Sequence, residues 1–211
     1  MRILIPASLL LLTSVHSKAQ TKLAVKGGFN YSTARAYFNG IKQPIGYAAG
    51  GNFGLQVDAP FDHWLHFSPY LSYSSRGYII KSNNGSGDKD QAFIHYVDLA
   101  AVLSLQIPAA KGNSFVIAAG PLGGLGLAGT EKKTTAGTTT SSKMKFTTSK
   151  DYSIFDLGLH SSLGYHFNKL FVELAYQYGF ACINNNEEID KRNIRNRTFS
   201  LNIGYYFKTY R

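Results

Sequence analysis

Between Phe155 and Tyr165 the odd positions read Phe155, Leu157, Leu159, Ser161, Leu163 and Tyr165, and the even positions read Asp156, Gly158, His160, Ser162 and Gly164. The run from Phe199 to Phe207 repeats the pattern, with Phe199, Leu201, Ile203, Tyr205 and Phe207 on one face and Ser200, Asn202, Gly204 and Tyr206 on the other. Strict alternation is the period of a β-strand, whose successive side chains leave opposite faces of the sheet. A soluble barrel would turn its bulky apolar face inward. Here the second face is small and polar and makes a poor core, so the pattern fits a barrel with lipid against its apolar face and polar groups inside.

Segments of this kind run over residues 22–32, 45–57, 64–78, 92–107, 114–127, 152–166, 170–181 and 196–208. The connections at 58–63, 108–113 and 167–169 are short, whereas those at 33–44, 79–91, 128–151 and 182–195 are longer and polar. Short turns at one end and long loops at the other characterise outer-membrane barrels. The expected fold is therefore an all-β, eight-stranded antiparallel up-and-down transmembrane β-barrel, with both chain termini at the short-turn end in the periplasm. The Thr- and Ser-rich stretch from Thr130 to Lys150 is expected to be a mobile external loop. Trp64, Tyr73, Tyr78, Tyr165, Tyr178 and Tyr205 lie toward strand ends, where amphipathic rings sit at headgroup level.

The first residues, MRILIPASLLLLTSVHSKAQ, add a second membrane signal. Arg2 precedes a short apolar stretch, and Ser17 and Ala19 are small residues at cleavage spacing, which predicts a signal peptide over 1–19 and a barrel domain over 20–211. The formal charge of +10 loses Arg2 and Lys18 with that peptide and becomes +8. The remaining basic residues lie mostly in loops, with no basic helix or nucleic-acid motif. Nucleic acid is thus not an expected partner; outer-membrane lipid, lipopolysaccharide and other envelope proteins are. Cys182, the single cysteine, permits no internal disulfide and reads as a small half-buried residue near a strand end.

An eight-stranded barrel is only just wide enough for side chains to fill. Its expected inward set is Lys26, Asn30, Asn52, Gln56, His66, Arg76, Asp98, Gln106, Asp156, His160, Glu173, Gln177 and Asn202. Both charge signs are present, and buried charges need partners. A structural polar network of Lys26 and Arg76 with Asp98, Asp156 and Glu173 is the predicted content of the lumen. His160, Ser162 and Asp156 share one strand face and have the residue types of a nucleophile, base and orienting acid. Residues two apart on a strand are roughly 6–7 Å apart, however, too far for direct hydrogen bonds, and no nucleophile-elbow motif accompanies them. They read as interior filler, and no catalytic residue is assigned. The histidines His63, His66, His95, His160 and His166 lack metal-ligand spacing, although His66 and His160 could approach across the lumen. The glycine-rich GGLG at 123–126 precedes no helix and so fails as a phosphate loop. No metal or cofactor is expected.

VKGGFNYS at 25–32 resembles the opening strand of the PorT-family outer-membrane β-barrel domain. FSPYLSYSSRGY at 67–78, HYVDLAAVLSLQI at 95–107 and LNIGYYF at 201–207 are similar to later strands of that family, with Asp98 where the family usually has Glu and Ala100 where it often has Pro. The resemblance implies a Gram-negative outer-membrane protein, in a family some of whose members take part in protein secretion. The expected protein is a non-enzymatic, monomeric barrel with a structural, adhesion or envelope-machine attachment role exercised through its outer loops. The alternatives are a narrow porin-like channel for small solutes and a lipid-modifying hydrolase.

Overall fold

The structure, a computed structural model, describes residues 21–82, 87–146, 152–185 and 192–210. The predicted signal peptide lies outside these residues. The strands are β1 (Thr21–Phe38), β2 (Ile41–Lys42), β3 (Ile45–Pro60), β4 (Leu65–Phe67), β5 (Tyr70–Lys81), β6 (Lys89–Ala100), β7 (Leu103–Pro108), β8 (Ser114–Thr135), β9 (Thr138–Lys143), β10 (Phe155–Phe167), β11 (Leu170–Gly179) and β12 (Arg192–Tyr210).

These twelve strands build eight staves. β4 and β5 are one stave interrupted at Ser68 and Pro69, and β6 and β7 are another interrupted at Ala101 and Val102. The register is the same on both sides of each gap: Phe67 faces Leu103 and Tyr70 faces Ala100, while Ala100 faces Leu122 and Leu103 faces Ala119. Pro69 has no N–H to give to the ladder, which accounts for the first interruption. β2 and β9 are ribbon strands that pair only with β1 and β8. All strand pairings are antiparallel, and β1 closes the ring by pairing with β3 on one side and β12 on the other.

The alternation behaves as the sequence predicts. Phe155, Leu157, Leu159 and Leu163 are exposed on the outer wall, while Asp156, His160 and Ser162 are buried inside. Leu71, Leu99, Ile117, Leu174, Leu201 and Ile203 continue the exposed apolar wall around the barrel. Among the described residues no helix is long and apolar enough to cross a membrane.

Three expectations change. First, the stretch after Thr130 is not simply a loop: β8 continues to Thr135 and turns back through Ala136 and Gly137 into β9. Both turn residues have positive φ, 50° and 80°, the requirement of a type I′ hairpin. Asn39 and Gly40, at φ 49° and 79°, make the same turn between β1 and β2. Neither ribbon strand joins the closed ring, so the stave number stays at eight; residues 147–151 of the expected loop lie outside the described residues. Second, Tyr78 does not join the headgroup ring. It is 2% exposed and packs inside with Ile80, Ile94, Ile183 and Ile194. Third, the lumen is not polar throughout. That apolar cluster fills the end near the long connections, and Ala24, Phe171 and Tyr206 fill the end near the termini.

Candidate functional site

The polar side chains of the lumen fall into three groups, beside a third apolar cluster of Tyr70, Ala100, Val102, Val116, Ala118 and Leu122. Nearest the termini, Asp58 on β3 accepts hydrogen bonds from Ser68 Oγ at 3.0 Å and from Gln106 Nε2 at 3.1 Å, and His66 Nδ1 lies 3.0 Å from it. Asp58 falls in the short connection expected at 58–63, but β3 runs two residues beyond it and its side chain is buried inside.

In the second group Lys26 Nζ on β1 reaches Glu173 Oε1 on β11 at 3.4 Å and sits 3.8 Å above the Tyr70 ring. Asn202 Nδ2 donates to the same carboxylate oxygen at 2.9 Å, and Ser162 Oγ donates to the other at 3.3 Å. Asn52 Nδ2 bridges Asn30 Oδ1 at 2.7 Å and Asn202 Oδ1 at 2.9 Å. These amides come from β1, β3 and β12, which meet where the barrel closes.

The third group centres on Arg76. Its Nη2 donates to Asp98 Oδ2, and its Nη1 donates to Asp156 Oδ2 at 3.3 Å. The guanidinium lies 4.7 Å from the Tyr96 ring centre. Asn196 Nδ2 donates to Asp156 Oδ2 at 2.8 Å and to Tyr96 Oη at 3.0 Å. The rigid fork of a guanidinium suits this simultaneous grip on two carboxylates.

The five charged residues singled out in the sequence thus form two ion-paired groups at different heights, Lys26 with Glu173 and Arg76 with Asp98 and Asp156. Tyr70, Tyr96 and Asn196 complete them, Asp58 holds the separate group with His66, Ser68 and Gln106, and none of these four is among the inward residues expected from the sequence. The signal was there: Tyr70 shares the strand parity of Arg76, and Tyr96 that of Asp98.

His160, Ser162 and Asp156 hold separate partners. His160 Nδ1 is 3.0 Å from Tyr70 Oη, Ser162 binds Glu173, and Asp156 binds Arg76 and Asn196. No two of the three are hydrogen-bonded to each other in this arrangement, so nothing links a base to a nucleophile. His66 is paired with Asp58 and His160 with Tyr70, so the two histidines do not converge. No group of three or more metal-ligating side chains occurs among the described residues. Cys182 is half-buried, and its thiol donates to the Asn184 carbonyl at 3.4 Å.

Packing leaves little room inside. Two cavities occur within the polar region, of about 20 Å³ beside Lys26, Tyr70 and His160 and about 10 Å³ beside Asn52, Ser72 and Asp98. Each has room for about one water molecule.

A family described as the outer membrane protein beta-barrel domain matches residues 18–185. Among solved structures, the attachment invasion locus protein Ail of Yersinia pestis, crystallised with the heparin analogue sucrose octasulfate, is 14% identical, with 89% of this chain and 99% of that one covered at a TM-score of 0.46. OprG of Pseudomonas aeruginosa is 15% identical, with 90% and 97% covered at a TM-score of 0.44. Neisserial surface protein A is 12% identical, with 88% and 97% covered at a TM-score of 0.42. No curated protein matches the chain.

Proposed function

This chain belongs to the outer membrane protein beta-barrel domain family, and from that premise we propose that it is a closed-lumen barrel with a structural or binding role. Adhesion, envelope integrity or attachment to a larger envelope machine would be exercised through the ribbons and loops at the end away from the termini. The observation that carries this reading is the filled interior. Arg76 on β5 reaches across the lumen to Asp156 on β10, Lys26 lies between Glu173 on β11 and the Tyr70 ring on β5, and the two cavities beside them are only about 20 Å³ and 10 Å³. A solute path needs a continuous wet channel, and an eight-stranded barrel has no spare width for one.

In this reading the five ion-paired residues are scaffold, with no catalytic duty. The separate partners of His160, Ser162 and Asp156 support a protein that is not an enzyme. The motifs at 25–32, 67–78 and 201–207 support a place near the PorT-like members. A cleaved signal over 1–19, a Gram-negative host, periplasmic termini and a monomeric state complete the proposal, with lipid, lipopolysaccharide and other envelope proteins as partners.

The test is a planar-bilayer recording on protein refolded into lipid vesicles and checked for a gel band that shifts on boiling. A shifting band without steady conductance is expected. Steady conductance from the wild-type protein would replace this reading with the narrow-channel one.

A further inference from the structure

Near the end away from the termini, the outer wall carries a charge pattern that the closed lumen does not explain. Arg35 on β1 stands directly opposite Arg195 on β12, and Arg197 follows two residues on, opposite Thr33. Arg35 and Arg195 are exposed and Arg197 is half-exposed, all on the face that continues downward as Phe199, Leu201 and Ile203. Like charges directly opposite each other on neighbouring strands destabilise a sheet. β1 and β12 contain no Asp or Glu to offset them, and no carboxylate among the described residues forms an ion pair with any of the three.

The three guanidinium groups are instead held by neutral side chains. Arg35 donates through Nε to Tyr37 Oη at 2.7 Å and lies 4.8 Å from that ring's centre. Arg195 Nε donates to Asn193 Oδ1 at 3.1 Å, and Arg197 lies 4.9 Å from the Tyr178 ring centre. Each keeps N–H donors in reserve. Just below them, on the membrane side, is an aromatic shelf: Tyr31 stacks on Tyr47 at 4.4 Å, and Tyr176 packs on Phe199 at 4.6 Å. The wall is also indented here. β1 and β3 part above the pairing of Ser32 with Ala48, leaving a groove of about 580 Å³ bordered by Arg35, Lys42, Tyr47, Tyr176 and Arg197. A second depression of about 380 Å³ adjoins it, bordered by Arg35, Tyr37, Asn193 and Arg195.

We infer that this patch is a binding site for a phosphomonoester on a membrane lipid headgroup, with Arg35, Arg195 and Arg197 gripping the phosphate. The lipid's acyl chains run down the wall over Phe199 and Leu201. Guanidinium forks suit phosphate oxygens, and a dianion between Arg35 and Arg195 turns a repulsive pair into an attractive one. Position separates this ligand from a soluble polyanion. The arginines sit on the side of the barrel at the upper edge of the apolar wall, where a headgroup lies, and face away from the loop tips. The inference rests on the outer wall being lipid-facing.

The experiment compares wild-type protein with the triple variant Arg35→Gln, Arg195→Gln, Arg197→Gln, each refolded into phosphatidylcholine vesicles doped with phosphorylated lipid A. Lipid retained after gentle detergent extraction is counted by native mass spectrometry. Lys132→Gln with Lys133→Gln on the exposed β8 ribbon is the control for general charge loss. The wild type and the ribbon variant should retain lipid A, and the triple variant should lose about tenfold or more of it, given the strength of hydrogen bonds to charged groups. Lipid A stripped of its phosphates should not be retained, and excess inorganic phosphate should not displace the bound lipid. Equal retention by the triple variant, equal retention of the stripped lipid, or displacement by inorganic phosphate would each overturn the inference. Wild-type protein that inserts and shows a band shifting on boiling, yet retains no lipid A, sinks the headgroup site alone. Failure to insert at all sinks the lipid-facing wall and the site together.

Discussion

The ring of Phe171 on β11 lies over Gly204 on β12, its register partner, so closely that a Cβ at 204 would come within 2.0 Å of it. The glycine is the floor of the plug near the termini, and the ring is fixed there by Tyr206 at 5.1 Å and His166 at 5.2 Å. Gly204→Ala should therefore overpack the plug and destabilise the barrel by about 1–3 kcal/mol. Denaturant unfolding in vesicles, followed by the fluorescence of Trp64, measures it. Phe171→Ala opens a cavity of its own, yet the double variant should lose less than the sum of the two single losses, because the atoms in conflict are then gone.

Arg76 is the sole cation gripping Asp98 and Asp156 in the ion pairs of the described residues. Arg76→Leu leaves two buried carboxylates uncompensated, and the expected cost is about 3–5 kcal/mol. Arg76→Lys should rescue little, since an ammonium has no fork with which to hold both acids. Adding Asp98→Asn and Asp156→Asn to Arg76→Leu should restore much of the stability. The same unfolding titration reads all three, and an unchanged midpoint for Arg76→Leu would show the pairing to be inert.

On the outer wall, Leu201→Arg should hinder insertion, at a cost of about 2–4 kcal/mol if the site lies near the bilayer midplane. Leu201 is 49% exposed on a face shared with Phe199 and Ile203. The fraction of protein giving a band that shifts on boiling after refolding reports the effect. Insertion equal to that of the wild type would reverse the assignment of the faces.

Two glycines separate crowding from backbone freedom. A Cβ at Gly28 would lie 2.2 Å from the Leu201 carbonyl oxygen, whereas at Gly123 the nearest neighbour is a Leu157 methyl at 3.8 Å. Gly28→Ala should cost about 1–3 kcal/mol. Gly123→Ala should be neutral or gain up to about 1 kcal/mol by restricting the unfolded chain. Comparable losses from both would mean that the seam between β1 and β12 is less tightly packed than its geometry shows.

The stave count and the two faces were legible because alternation is a local property: each strand declares its lipid side without reference to its neighbours. Lys26, Arg76, Asp98, Asp156 and Glu173 were legible for the same reason, as charges on the inward parity. Who pairs with whom was not, because pairing depends on register, and bulges shift register at Leu23, within 47–52 of β3 and beside His95. The ribbon turn at Asn39 and Gly40 did carry a readable signal, the Asn-Gly dipeptide favoured in type I′ hairpins. Ala136 and Gly137 carried only half of it, and the polar composition around them suggested a loop. Tyr78 stands near a strand end, where amphipathic rings favour the headgroup level, but its parity matches that of Arg76 and carries the ring inside. The opposed arginines at 35 and 195 lie far apart in the chain, so no sequence window contains both.

The seam that closes the barrel joins the first described strand to the last: β1 pairs along its whole length with β12, from Thr21 opposite Tyr210 to Phe38 opposite Arg192. Contacts between such distant parts of a chain form late and slowly. No partial length of this polypeptide can make a closed ring, so β1 has to wait with an unpaired edge until β12 arrives. An unpaired edge invites association with other chains. Until β12 arrives, whatever shields that edge has to come from outside the chain's own last strand.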